Sequence, residues 1–318
     1  MSNGKCKLFM AALSSAVLLA LAMWGWRQGS RPASAPVSPM TNASRATTNV
    51  ASDQQSTSGL GEKLRDAAAA LRAARGTGSA REQLIRLRQA LAAVPLEEAA
   101  AVIRQFLDGK ADAPTGQGFR PSGKGSLAEA PTLRTFLLDY LGQIDPAAAA
   151  AYAREILASS DSPDEWAVAL RNLAVGDTTA AGRELLEQKT GELLRNEAWQ
   201  QDPSAGYLEA FDVAVYLGGT NLVSPLAELA RKQDNSAVAH AAYLALDRLV
   251  INDPAELLAA LEASPELMQG REGTRANYFA RADVRDPQQR QVLENYLLDS
   301  RISATELAQF AGLYPSAN

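Results

Sequence analysis

The residues with the clearest potential for chemistry lie in the loop Gly116 to Ser126, which reads GQGFRPSGKGS. Gly118, Gly123 and Lys124 hold the glycine and lysine spacing of a loop that cradles phosphate with backbone N–H groups. The remaining positions break that chemistry. Gly125 stands where a Ser or Thr would hold magnesium, Pro121 removes a backbone donor, and no strand is expected before the loop. The spacing therefore predicts a flexible, exposed loop and no nucleotide site. Phe119 and Arg120 place a large apolar ring beside a guanidinium at its tip, a combination suited to contacting a protein partner; a loop packed on itself is the alternative.

Three further groups have residue types that could do chemistry. His240, the one histidine, falls seven residues before Asp247 and hence on roughly the same side of a helix. No nucleophile accompanies it, so a hydrogen-bonded structural imidazole is the expectation. Asp161, Asp164 and Glu165 cluster beside Trp166 and could pass for a sugar-cleaving acid pair with a stacking platform. Helix-start chemistry accounts for the same residues, because carboxylates favour the positive end of the helix dipole. From Arg271 to Arg290 the chain interleaves Arg275, Arg281 and Arg285 with Tyr278 and Phe279, while Glu272, Asp283 and Asp286 dilute the charge. A solvated helix face with local ion pairs is expected there, with an anionic polymer as the alternative ligand. With Cys6 as the lone cysteine and His240 as the lone histidine, a thiolate or multi-histidine metal site is excluded. No catalytic residue, cofactor or metal is expected.

The elements that would position these residues are helices. Leu133, Phe136, Leu137, Tyr140, Leu141 and Ile144 recur at steps of three and four, as do Leu84, Leu87, Leu91 and Val94, and Trp166, Leu170, Leu173 and Ala174. Asp145-Pro146, Ser162-Pro163, Asp253-Pro254 and Asp286-Pro287 each set an N-cap acceptor before a proline at the first helical position. Ser79 with Glu82, Ser162 with Glu165, and Ser303 with Glu306 read as capping boxes. No segment alternates with period two. The pattern predicts an all-α chain of short helices joined by tight turns.

Within that series, residues 225–261 read PLAELARKQDNSAVAHAAYLALDRLVINDPAELLAAL. Asn235 opens a helix whose stripe is Val238, Ala241, Ala242, Ala245, Leu246 and Leu249, and Asp253-Pro254 starts the next. This stretch resembles a HEAT-type repeat, although Ala239 stands where such units often carry an arginine, and the Asp-Pro starts are unevenly spaced. The resemblance implies an irregular α-solenoid of HEAT-like hairpins that binds protein on a concave surface. Tetratricopeptide repeats are the nearest rival, without their signature residues.

Upstream, Leu8 to Trp26 carries no charge and is flanked by Lys5, Lys7, Arg27 and Arg31. As a helix it would span roughly 28 Å, close to the ~30 Å hydrocarbon core of a bilayer. Trp24, Trp26 and Arg27 would sit at the membrane interface. The expected layout is a basic segment at 1–7, a membrane-spanning signal-anchor or signal peptide at 8–26, a disordered Ser/Thr/Pro/Ala-rich linker at 27–60, and a helical repeat domain at 61–318. Cleavage near Ala22, giving a secreted chain, is the alternative.

The first sixty residues carry a net +4, which leaves −9 for the remainder within the overall −5. So acidic a domain disfavours nucleic acid as a partner. The combined expectation is a single-pass membrane protein whose non-catalytic helical domain is exported to the periplasm or the extracellular side and holds a protein partner. An α/α-toroid hydrolase of envelope polysaccharide and an accessory subunit of a membrane complex are the rival readings.

Overall fold

The computed structural model describes residues 49–316 apart from Arg75 and Lys124. The expected membrane segment at 8–26, with Trp24, Trp26 and Arg27, and most of the 27–60 linker lie outside the described residues. Among those described, no helix is long and apolar enough to cross a membrane. The described chain is all-α apart from one small hairpin, and it divides into two compact units, one closing at Ser159 and the other opening at Ser160.

The first unit holds α1 (Asn49–Ala73), α2 (Thr77–Ala92), α3 (Leu96–Asp108), α4 (Leu133–Ile144) and α5 (Pro146–Ser159). The first of these begins inside the stretch assigned by composition to the linker. Helix α1 packs on α2 and α3, α3 on α4, and α4 on α5. The apolar stripes expected from periodicity make this core: Leu84, Leu87, Leu91, Leu133, Leu137 and Leu141 are all buried. Between α3 and α4 runs the feature that periodicity did not announce, an antiparallel pair of β1 (Arg120–Pro121) and β2 (Leu127–Glu129) in which Arg120 opposes Glu129.

The hairpin is fastened from below. Thr115, 3% exposed, donates its hydroxyl to the Ala130 carbonyl at 2.5 Å, and Asp139 Oδ1 on α4 accepts from the Leu127 N–H at 3.0 Å. Buried acceptors and donors that find partners in this way avoid a penalty of about 1–3 kcal/mol for an unmade bond.

The second unit contains α6 (Pro163–Gly176), α7 (Ala180–Arg195), α8 (Glu197–Gln201), α9 (Ala205–Glu209), α10 (Phe211–Leu217), α11 (Val223–Arg231), α12 (Ser236–Asn252), α13 (Pro254–Ala263), α14 (Glu272–Phe279), α15 (Pro287–Leu298) and α16 (Ala304–Leu313). Consecutive helices pair as α6 with α7, and α11 with α12. Beyond α13 the pairing skips an element, so that α13 packs on α15 and α14 on α16. Val238, Ala242, Ala245, Leu246 and Leu249 are buried as the stripe predicts, while Ala241 is only half-buried.

Capping explains most of the helix starts. Asn235 Oδ1 accepts from the Ala237 and Val238 N–H groups, Asp286 Oδ1 from Gln288 and Gln289, and Asp145 Oδ1 from Ala148. Three expectations need correction. Asp253 occupies the N-cap position of α13, but its side chain accepts no cap hydrogen bond there. Helix α2 starts at Thr77 with Gly76 before it, so Ser79 lies within the helix and makes no capping box. Ser162 and Ser303 do cap, while the carboxylates of Glu165 and Glu306 take other donors. Glu165 accepts from the Ser160 hydroxyl at 2.9 Å and Glu306 from the Tyr296 hydroxyl at 3.1 Å.

Candidate functional site

The loop at 116–126 is built as a turn. The Ser122 N–H bonds the Ser126 carbonyl at 2.6 Å and the Gly125 N–H bonds the Ser122 carbonyl at 3.1 Å, with Gly125 at φ +82°, a left-handed conformation that favours glycine. The chain leaves it into β2, not into a helix, so no helix N-terminus follows the loop as it does in a phosphate cradle. Arg120 is exposed but engaged, its Nη2 lying 2.8 Å from Glu129 Oε1, the same oxygen that receives Arg81 Nη2 from α2 at 2.6 Å. Phe119 is half-buried. The expected free tip is thus a hairpin edge clamped to α2. The run PSGKG carries turn-forming residues, but the strands beside it are too short to leave a pattern.

The acids beside Trp166 are occupied by structure. Asp164 Oδ1 accepts the Ser204 hydroxyl at 2.6 Å and the Gly206 N–H at 3.0 Å, pinning the start of α9 to α6. Glu165 is 7% exposed. Trp166 is also buried, donating its indole N–H to the Ser160 carbonyl at 2.7 Å. It begins an edge-to-face aromatic series through Trp199, Tyr207 and Phe211, with ring centroids 5.3, 6.4 and 5.4 Å apart. An indole in that setting is core and presents no face to a sugar.

The Arg271–Arg290 segment is only in part the solvated, locally ion-paired face that its charges suggested, since its aromatic residues and one arginine are core. Tyr278 and Phe279 are fully buried, Arg281 pairs with Asp247 at 3.0 Å, and Arg285 pairs with Asp283 at 2.7 Å. Arg275, 5% exposed, lies 3.6 Å from Glu306 and 3.9 Å from Asp299, with its guanidinium carbon 5.3 Å from the Tyr296 ring centre. Burial raises the Glu306 carboxyl above its ordinary value, and Arg275 opposes that shift. This group holds α14 against α16.

One groove in the second unit gathers polar side chains from separate elements. Ser236, Ala239, His240 and Tyr243 present one face of α12, since those positions step by three, one and three. Lys232 and Gln233 arrive from the turn after α11, and Arg271 and Thr274 from the start of α14. The groove encloses about 600 Å³. His240 is exposed here, which corrects the expected structural histidine; Asp247 is directed to Arg281 instead.

The lining is held from behind by neutral acceptors. Lys232 Nζ donates to Gln200 Oε1 at 2.5 Å and Arg271 Nη2 to the Ala230 carbonyl at 3.1 Å. Gln200, 6% exposed, is a hub whose amide also donates to the Leu194 carbonyl. Ala239, the position where HEAT-like units often carry arginine, is 8% exposed. Sequence reasoning missed this set because Lys232 and Arg271 are far apart in the chain and each looks like an ordinary surface charge.

In the first unit, Ala101, Arg104, Gln105, Asp108, Tyr152 and Glu155 line a second groove of about 480 Å³. Its charges are mixed. Burial and the neighbouring Asp108 push the Tyr152 hydroxyl up to about 12, so it remains a proton donor at neutral pH. Among the described residues no three His, Cys, Asp or Glu side chains gather as metal ligands would. Comparison with known proteins finds no matching family model, no matching curated protein and no matching solved structure.

Proposed function

We propose that this chain is a membrane-tethered, non-catalytic scaffold of HEAT-like helical hairpins that holds a protein partner in the exported compartment. The observation that carries the reading is the open groove of Lys232, His240, Tyr243 and Arg271, where three elements contribute polar side chains to a surface without a paired acid and base. The rival hydrolase reading loses its best residues, because Asp164 and Glu165 are spent as acceptors that fix α6 and α9. Phe119 and Arg120 on the hairpin edge offer a second contact in the first unit. Leu8 to Trp26 would supply the tether, with Trp24, Trp26 and Arg27 at the interface.

The test is mild crosslinking of the full chain in its native envelope, followed by purification. A stoichiometric protein companion supports the scaffold. Release of soluble fragments from isolated envelope polysaccharide, lost in an Asp164→Asn variant, would replace it with the hydrolase. Exchange of Leu8 to Trp26 for an unrelated spanning helix separates tether from subunit: function survives the exchange in a scaffold and is lost where the helix itself makes contacts.

A further inference from the structure

We infer that the groove between the end of α11, the face of α12 and the start of α14 binds an acidic peptide segment of the partner, an assignment that rests on the scaffold reading above. The reason is uncompensated charge. Lys232 and Arg271 line the groove, and no carboxylate does. Their hydrogen bonds go to neutral oxygens on Gln200 and Ala230, and among the described residues neither makes an ion pair. Glu272, next to Arg271 in the chain, spends its Oε1 on the Gly270 N–H at 2.9 Å.

Two cations left without counter-ions run against the surrounding charge, since residues 61–318 carry a net −9. An acidic ligand is repelled by most of this domain and attracted here, which selects the docking position as well as the ligand. The rest of the lining fits an extended peptide. The His240 imidazole, the Ser236 and Thr274 hydroxyls and the Gln233 amide supply donors for carboxylates. Tyr243, 36% exposed, offers a ring to an apolar side chain, and the small Ala239 lets a backbone approach the floor.

The probe is a fluorescein-labelled octapeptide of alternating Glu and Asp around a central Leu, titrated with the full chain by fluorescence anisotropy. The same-length Lys/Ser peptide serves as control. The acidic peptide binds and the basic one does not. Replacing both cations (Lys232→Gln with Arg271→Gln) removes two charge-assisted bonds and weakens binding about 100-fold.

Because those two side chains also brace the turn and α14, a second variant leaves them untouched. Ser236→Glu places a carboxylate at an exposed first-turn position that a helix favours, and weakens the peptide about tenfold with an unchanged melting temperature. Unchanged affinity in both variants overturns the proposal. So does displacement of the peptide by inorganic phosphate, or by phosphatidylglycerol vesicles, at equal charge concentration, since the site would then take small anions or lipid headgroups. The scaffold reading fails separately: no crosslinked companion with intact peptide binding removes the scaffold, whereas a companion still captured by the Ser236→Glu variant at wild-type affinity removes the groove.

Discussion

Glu209, at the end of α9, lies half-buried near Asp212, which pairs with Arg248 at 2.5 Å. Burial and the Asp212 charge together push its carboxyl from 4.5 up to about 7, with Arg248 opposing them. Between those values the folded chain keeps a proton that the unfolded chain has lost. The stability from this site is therefore complete below pH 4.5 and is lost as pH rises through about 7, a fall of about 3 kcal/mol. Urea midpoints at pH 5 and pH 8 should differ less in Glu209→Gln than in the parent; equal slopes would exonerate Glu209. At Arg275 the expected effect is larger. Arg275→Ala leaves Glu306 buried beside no cation and should cost about 3 to 5 kcal/mol, whereas adding Glu306→Gln to it should recover part of that loss, as a double-mutant cycle in urea would measure.

At the scale of elements, propensity and packing part company at Gly182 in the first turn of α7. Alanine there should favour an isolated helix by up to about 1 kcal/mol. The added Cβ would instead meet the carboxylate of Asp177, whose Oδ1 already accepts from Thr179 N–H at 3.0 Å and from its hydroxyl at 2.6 Å. Gly182→Ala should consequently lower the melting temperature, and a rise would show that Asp177 can swing away. The β1–β2 hairpin depends on a different kind of contact. Glu129→Gln frees Arg81 and Arg120, both more than half exposed, so global stability should drop by less than about 1 kcal/mol. Hydrogen exchange in β1 should nonetheless quicken, because the clamp to α2 is gone.

The hairpin also marks where legibility ran out among the elements. Leu133 to Leu141 could be read as a helix because each turn repeats the same apolar demand, and the repetition averages out single exceptions. Strands of two and three residues offer no repeat to read. Their existence depends on Thr115, Asp139 and Glu129 closing bonds across long stretches of chain.

For the whole molecule, scaffold and enzyme differ in what a surface does once a partner arrives: a scaffold's companion should dissociate faster as salt rises, because its recognition is largely between opposite charges. Crosslinking yields measured across a salt series would read this directly, and salt-indifferent capture would point to an apolar interface instead. The sequence alone determined that this chain makes helices, where most of them begin, and which stripe each one buries. Those properties follow from residues within one or two turns of each other, where spacing is geometry. It also set the acidic balance and the uncharged run at Leu8 to Trp26. The tertiary structure alone decided that α13 would pair with α15 and α14 with α16, that Asp164 and Glu165 would be consumed as acceptors, and that Lys232 and Arg271 would share a groove without a carboxylate between them. Such outcomes rest on residues brought together across distant parts of the chain, and no local period in a sequence encodes which distant charge a given charge will meet.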